Sequence, residues 1–418
     1  MILPKLRVLL ATCSCVLSIA ASSADPVLEL SVKERLVTGR VDGATLAATL
    51  ELLGSQTGID FAIESANLAQ SPIIRIFNEV PLDEAIQALA GSSNVFVYRQ
   101  TEEGRKLEKV IVLGRGVDRK TSQERGFSVA YGPGDDQLGA VDGVEGASEG
   151  PASFAVDQHG NLLVCDTVNH RLQVYDPDGR HVRSMALGEI VPEDVVIDKD
   201  GLIYVYGTDD TLSQLDANGN VLTTIAVDHS RWDSRGPMRM VDGTISIRAN
   251  GIGDTAIAGV ASGSLTQPTE AQIGEGVAKG FRGADGQRFV PEVDWRNKVG
   301  NVRIDYPDGR SVTASLPKSG VIGAEFLGED QGGNFYVKTE AEQDDSIAID
   351  VLVFDPNGRH QSTIAIPDEE YHYWSMRSAV VTGSGEVFNM APGSDHVRFH
   401  AISQPGASQD ALPPRIVK

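Results

Sequence analysis

The chain has 418 residues, room for two or three domains each with its own core. It carries 36 basic against 58 acidic side chains, a net charge of −22, so phosphate backbones and anionic headgroups are repelled; nucleic acid and bare membrane are poor partners. With 44 glycines and 6% aromatic residues, the composition favours many turns and short strands over long helices.

Residues 1–24 read as a signal peptide. Lys5 and Arg7 precede a run of apolar and small residues from Val8 to Ala21, and Ser22-Ser23-Ala24 offers small side chains for cleavage. The apolar run is too short to span a bilayer, so no integral membrane span is expected. The chain is therefore expected in the periplasm or outside the cell. Leu10-Ala11-Thr12-Cys13 also approaches a lipobox, which leaves lipid anchoring through Cys13 open. After cleavage Cys165 is the single cysteine, set in the apolar run Leu162-Leu163-Val164-Cys165, and it reads as a buried, inert thiol.

Residues 25–116 read as a small α/β domain. Leu46, Leu50 and Leu53 form one apolar stripe of a helix over Ala44–Gln56, with Asp42 as its cap and Gly58 as its end. Ile59–Ile63 and Ile73–Phe77 follow as strands. A second helix starts after Pro81 with Leu82, Ile86 and Leu89 on its apolar face, and Asp83 and Glu84 in its first turn. Val95–Tyr98 and Val110–Leu113 complete a β-α-β-β-α-β-β order. The runs Val41-Asp42-Gly43-Ala44-Thr45-Leu46, Gln56-Thr57-Gly58-Ile59 and Val80-Pro81-Leu82-Asp83-Glu84-Ala85-Ile86 resemble the short N-terminal domain of secretins and TonB-dependent receptors (STN). That resemblance implies a periplasmic domain that docks onto another protein. Residues 117–126 read as a linker.

Residues 127–403 carry an internal repeat. Tight turns place glycines at 160, 201, 243, 286, 333 and 385, steps of 41, 42, 43, 47 and 52 residues, the length of a four-stranded blade. A second series of Asp/Asn-Gly hairpin turns lies at Gly179, Gly219, Gly309 and Gly358; its step of 90 from Gly219 to Gly309 spans two blades with one degenerate turn. The fold class is mainly β: a six-bladed β-propeller behind a small α/β domain, five or seven blades remaining alternatives. The last blade has room for three strands, and Phe127–Tyr131 is placed to supply the fourth and close the ring. Pro151 to Gly179 resembles the NHL repeat family, through Phe154-Ala155-Val156-Asp157, Gly160-Asn161-Leu162-Leu163-Val164-Cys165-Asp166 and Asn169-His170-Arg171-Leu172. Residues 404–418, rich in Pro, Ser and Gln, read as a disordered tail.

The functional reading is a binding scaffold rather than an enzyme. His159, His181 and His360 fall in or beside hairpin turns with no ligand spacing, so no metal or cofactor is expected. Asp166, Asn169, His170 and Arg171 read as a polar knot holding one blade. Candidate binding residues are the scarce aromatics and their neighbours: Tyr371, Tyr373 and Trp374, with Arg231-Trp232 and Trp295. The expected partner is a protein or glycan of the cell envelope. The rival readings are an extracytoplasmic hydrolase or lyase with a site at the channel mouth, and an accessory protein of a secretion or pilus system.

Overall fold

The turn glycines all adopt the backbone their spacing requires. In the computed structural model, which describes residues 26–63, 69–90, 94–101, 104–112, 123–143, 148–251, 253–274, 279–343, 346–369 and 371–403, the first six turn glycines have φ between 68° and 82°. That region is open to glycine because it has no Cβ. One device recurs at six corners, three from each series. Asp157, Asp176, Asp198, Asp216, Asp330 and Asp355 each accept backbone N–H groups from the residues two and four places on. The degenerate turn is at Gly263 (φ 76°), 44 residues after Gly219 and 46 before Gly309. The expected signal peptide, Cys13 and the tail lie outside the described residues.

The N-terminal unit has two strands before its first helix, not one. β1 (Val27–Lys33), β2 (Leu36–Thr45), α1 (Leu46–Thr57), β3 (Asp60–Ile63), β4 (Pro72–Pro81), α2 (Leu82–Ala90), β5 (Asn94–Thr101) and β6 (Gly104–Val112) follow in order. Asp42 does not cap α1. Strand β2 stays paired with β4 as far as Thr45↔Pro72, so the chain remains extended until Thr45, whose Oγ1 accepts the Ala48 N–H at 3.2 Å. Leu46, Leu50, Leu53, Ile86 and Leu89 are buried in one core with Val37, Val41 and Phe77.

The remaining strands form sets of four. β8 (Phe154–Val156), β9 (Leu162–Asp166), β10 (Arg171–Tyr175) and β11 (His181–Ala186) make the first antiparallel sheet. β12 (Pro192–Ile197) to β15 (Val221–Ala226) make the second, and β16 (Arg235–Val241), β17 (Thr244–Ala249), β18 (Gly253–Ala261) and β19 (Ser264–Thr266) the third. β20 (Phe281–Arg282), β21 (Arg288–Asp294), β22 (Val299–Asp305) and β23 (Arg310–Ser315) follow, then β24 (Val321–Glu329), β25 (Phe335–Gln343), β26 (Ser346–Phe354) and β27 (His360–Ala365). The last set is β28 (Ala379–Val381), β29 (Val387–Pro392) and β30 (His396–Ser403), whose outer partner is β7 (Gln123–Ala130) with Phe127 opposite Phe399. Residues 123–126 are therefore strand and not linker. First strands pack on first strands around an axis: β8 on β12, β12 on β16, β24 on β28, β28 on β8. Apolar clusters fill the gaps between sheets, for example Cys165, Leu172, Val195 and Val205 between the first and second. This is propeller architecture.

The N-terminal unit is not a free-standing domain. Its β5 pairs antiparallel with β23, from Arg99↔Arg310 to Val95↔Ala314, so β3, β6 and β5 extend the fourth set into a seven-stranded sheet. Val95 is buried in the cluster between the fourth and fifth sets, and Val97 and Ile111 pack against it.

Candidate functional site

A belt of charged side chains lies around the axis of the ring: Asp194, Arg239 and Glu325 on first strands, Arg248 and Lys338 on second strands, and Arg377 on the segment before β28. Asp194 on β12 is buried and takes hydrogen bonds from four segments: the Ser153 hydroxyl, the Val195 N–H (2.9 Å), the Met238 N–H and Arg377 Nη2 (3.0 Å). Arg377 also donates to the Met238 carbonyl. Glu325 on β24 pairs with Arg248 (2.8 Å) and Lys338 (3.2 Å). Burial pushes the Glu325 carboxyl up, but Lys338 and Arg248 outweigh it and hold its pKa below the ordinary value. Arg239 on β16 lies over the Phe326 ring (4.6 Å to the centroid) and reaches Asp254 at 3.3 Å. Burial raises the Asp254 and Glu329 pKa values.

This belt divides the axis into two mouths. At the C-terminal ends of the inner strands a cavity of about 430 Å³ is lined by Val156, Ile197, Asp242, Glu329 and Val381. At their N-terminal ends a cleft of about 300 Å³ is lined by Arg235, Arg248, Glu325, Lys338, Glu340 and Trp374. Trp374 is 65% exposed there. A bare indole beside cations and carboxylates can stack on a sugar ring or a side chain while the polar groups fix its orientation.

The residues singled out in the sequence are dispersed. Trp374 alone of the aromatic candidates lines a mouth. Tyr373 is buried, its hydroxyl donating to Asp142 at 2.8 Å and its ring edge-on to Tyr131. Tyr371 donates to Asn389 Oδ1 at 3.1 Å. Trp232 packs half-buried against the cluster between the second and third sheets, and the Arg231 side chain lies outside the description. Trp295 is exposed at the tip of the β21–β22 hairpin and lines neither mouth. Asp166 accepts from Arg171 Nε (2.7 Å), Asn169 and the Gly139 N–H, while Arg171 donates to the Gly134 and Gln137 carbonyls, so this group ties loop 132–139 to the first sheet. His170 is exposed, with φ 52°. Cys165 is fully buried and its thiol pKa is raised by burial. Among the described residues no group of three or more His, Cys, Asp or Glu is placed to hold a metal ion.

Sequence reasoning missed the belt: Asp194, Arg239, Arg248, Glu325, Lys338 and Arg377. A signal existed in part. Ser153 and Asp194 each stand four places before a turn aspartate, Asp157 and Asp198, just ahead of the apolar runs Phe154-Ala155-Val156 and Val195-Val196-Ile197.

Residues 149–175 match the NHL repeat family. No curated protein matches the chain. Among solved structures, hydrazine synthase of Kuenenia stuttgartiensis is similar at 13% identity and a TM-score of 0.40, over 62% of this chain and 80% of that one. Virginiamycin B lyase of Staphylococcus aureus aligns at 10% identity and 0.38, over 67% and 100%. Regucalcin, a calcium-binding protein of Agrobacterium tumefaciens, aligns at 14% identity and 0.36, over 61% and 91%.

Proposed function

We propose that the chain is an exported, non-enzymatic binding scaffold: a six-bladed ring that recognises a protein or glycan of the cell envelope at the Trp374 mouth. The observation that carries this reading is Trp374 itself, a large apolar side chain left 65% exposed beside a polar cleft in an aromatic-poor chain. The axial carboxylates Asp194 and Glu325 sit in ion pairs, which favours a structural belt over a general acid or base. Six sets of four strands, with β7 closing the last, support the blade count. The N-terminal unit rides on the fourth blade and offers the open side of β4 to an envelope partner, with Ile74 and Ile76 exposed on that strand. The leader-like residues 1–24 support export.

The test uses immobilised full-length chain, a periplasmic extract and a panel of soluble polysaccharides. Wild type is expected to retain a ligand that Trp374→Ala binds more than about tenfold more weakly, the scale of a central aromatic anchor. Equal retention by both would discard the Trp374 mouth.

A further inference from the structure

The gap between the third and fourth sheets differs from the others. No apolar cluster among the described residues spans it. In its place is a cavity of about 160 Å³ lined by Arg239, Arg282, Arg288 and Asp254, with Thr244 and Gln272 on its walls. Arg239 stands between this cavity and the larger one on the axis.

Charge does not balance there. Three guanidinium groups face one buried carboxylate. Arg282 and Arg288 are directly opposite partners in the β20–β21 pair, where like charges repel. Arg282 has a rim partner in Asp242 at 3.6 Å, itself about half exposed. Arg288 interacts with the Asp254 carboxylate through its charge, but its Nη1 is buried without a hydrogen-bond partner among the described residues. A buried, unpaired guanidinium N–H bears its desolvation cost uncompensated. Asp254 is the mirror case. Its Oδ2 accepts from Arg239 and from the Arg282 N–H (2.9 Å), whereas Oδ1 is buried without a donor. The residues lining the cavity thus include one with an unused donor on a cation, Arg288, and one with an unused acceptor, Asp254.

We propose that this cavity binds a compact oxyanion that also carries a hydroxyl proton: hydrogen phosphate, or a carboxylate with an adjacent hydroxyl. The oxyanion takes the hydrogen bonds of Arg288 and Arg282. Its O–H donates to Asp254 Oδ1. The chain's overall charge of −22 does not prevent this, because charges more than about 8–10 Å away are screened at physiological salt. The site is separate from the Trp374 cleft.

The test is calorimetric titration of the full-length chain, with thermal melts, at matched ionic strength in chloride. The probes are phosphate against sulfate, which lacks the proton at neutral pH, and glycolate against acetate, which lacks the hydroxyl. At least one hydroxyl-bearing probe is expected to bind at least about fivefold more tightly than its counterpart. Arg288→Gln is expected to melt no lower than wild type in chloride, since it removes a buried donor without an acceptor and the like-charge contact with Arg282, and to lose the gain in Tm that the bound probe gives wild type. Arg282→Gln, at a half-exposed position, is expected to weaken binding as well and serves if Arg288→Gln does not fold. Trp374→Ala is expected to keep the whole effect, so this site and the mouth fail separately. No binding of any probe by wild type overturns the proposal, as does an Arg288→Gln destabilisation equal with and without probe.

Discussion

Replacing Asp194 by alanine tests whether the axial belt holds the ring. The carboxylate joins the first, second and third sets to the segment leading into the last, through Ser153, Val195, Met238 and Arg377, and it is 1% exposed. Its removal leaves Arg377, whose side chain is 13% exposed, without its carboxylate, and strips an acceptor from the Met238 N–H. Breaking a buried pair by deleting one partner costs about 3–5 kcal/mol. For a domain of this size about 2 °C of melting temperature goes with each kcal/mol, so Asp194→Ala should lower Tm by roughly 6–10 °C. Arg377→Met removes the orphaned cation, so the double variant should melt above the sum of the two single losses by about 1–3 kcal/mol of coupling. Calorimetry on the four proteins of this cycle measures it. A fall of less than about 1 °C for Asp194→Ala, on the same scale, or strict additivity, would refute the idea that the pair locks the ring.

Two further outcomes follow from the structure. Glu325 has a folded pKa held below its ordinary value by Lys338 and Arg248, so its stabilising contribution is present above the unfolded pKa of about 4.3 and is lost as pH falls through the folded value. The Tm difference between wild type and Glu325→Gln should therefore be constant near neutral pH and shrink below about pH 4.3, as melts across an acid series would record. Cutting the chain at a protease site inserted within residues 113–122 should not release the N-terminal unit, because β5 is laddered to β23 and Val95 is buried in the blade cluster; the fragments should co-elute on size exclusion. Ala314→Asp, at the Val95 partner position, should separate them.

How far each feature was legible depends on the range of the interaction that makes it. Six of the corners could be read because an aspartate and a glycine within five residues fix the turn by their own hydrogen bonds, as Asp157, Asn161 and Gly160 do. Mainly β content and propeller architecture follow from those corners. The third sheet gave the weakest pattern because β18, Gly253 to Ala261, is built of small residues that pack without alternation. The pairings of the belt were invisible, beyond the spacing of Ser153 and Asp194 from their turn aspartates, because Asp194 and Arg377 are 183 positions apart and meet when the sheets close around the axis. Among the aromatics, composition marked Tyr373 and Trp374 alike, and neighbours separated them: Tyr373 found Tyr131 and Asp142, while Trp374 was left at the mouth.

The fusion of β5 to β23 left no trace in the sequence, since backbone ladders are made by any two open strands of matching length. Its consequence is mechanical. An outer strand of a blade is an exposed edge, and such edges invite pairing with other chains. Here the edge of the fourth set is taken by the protein's own N-terminal unit, and that unit gives up its β5 edge in return. Among its described strands β1, β3 and β4 remain edges; β4 pairs on one side with β2 and exposes Ile74 and Ile76. A ladder with five register pairs and a shared apolar cluster fixes direction as a flexible tether cannot. The two surfaces proposed for recognition, β4 and the Trp374 mouth, are therefore carried on one continuous framework, so that a partner held at one would be presented to the other at a set orientation.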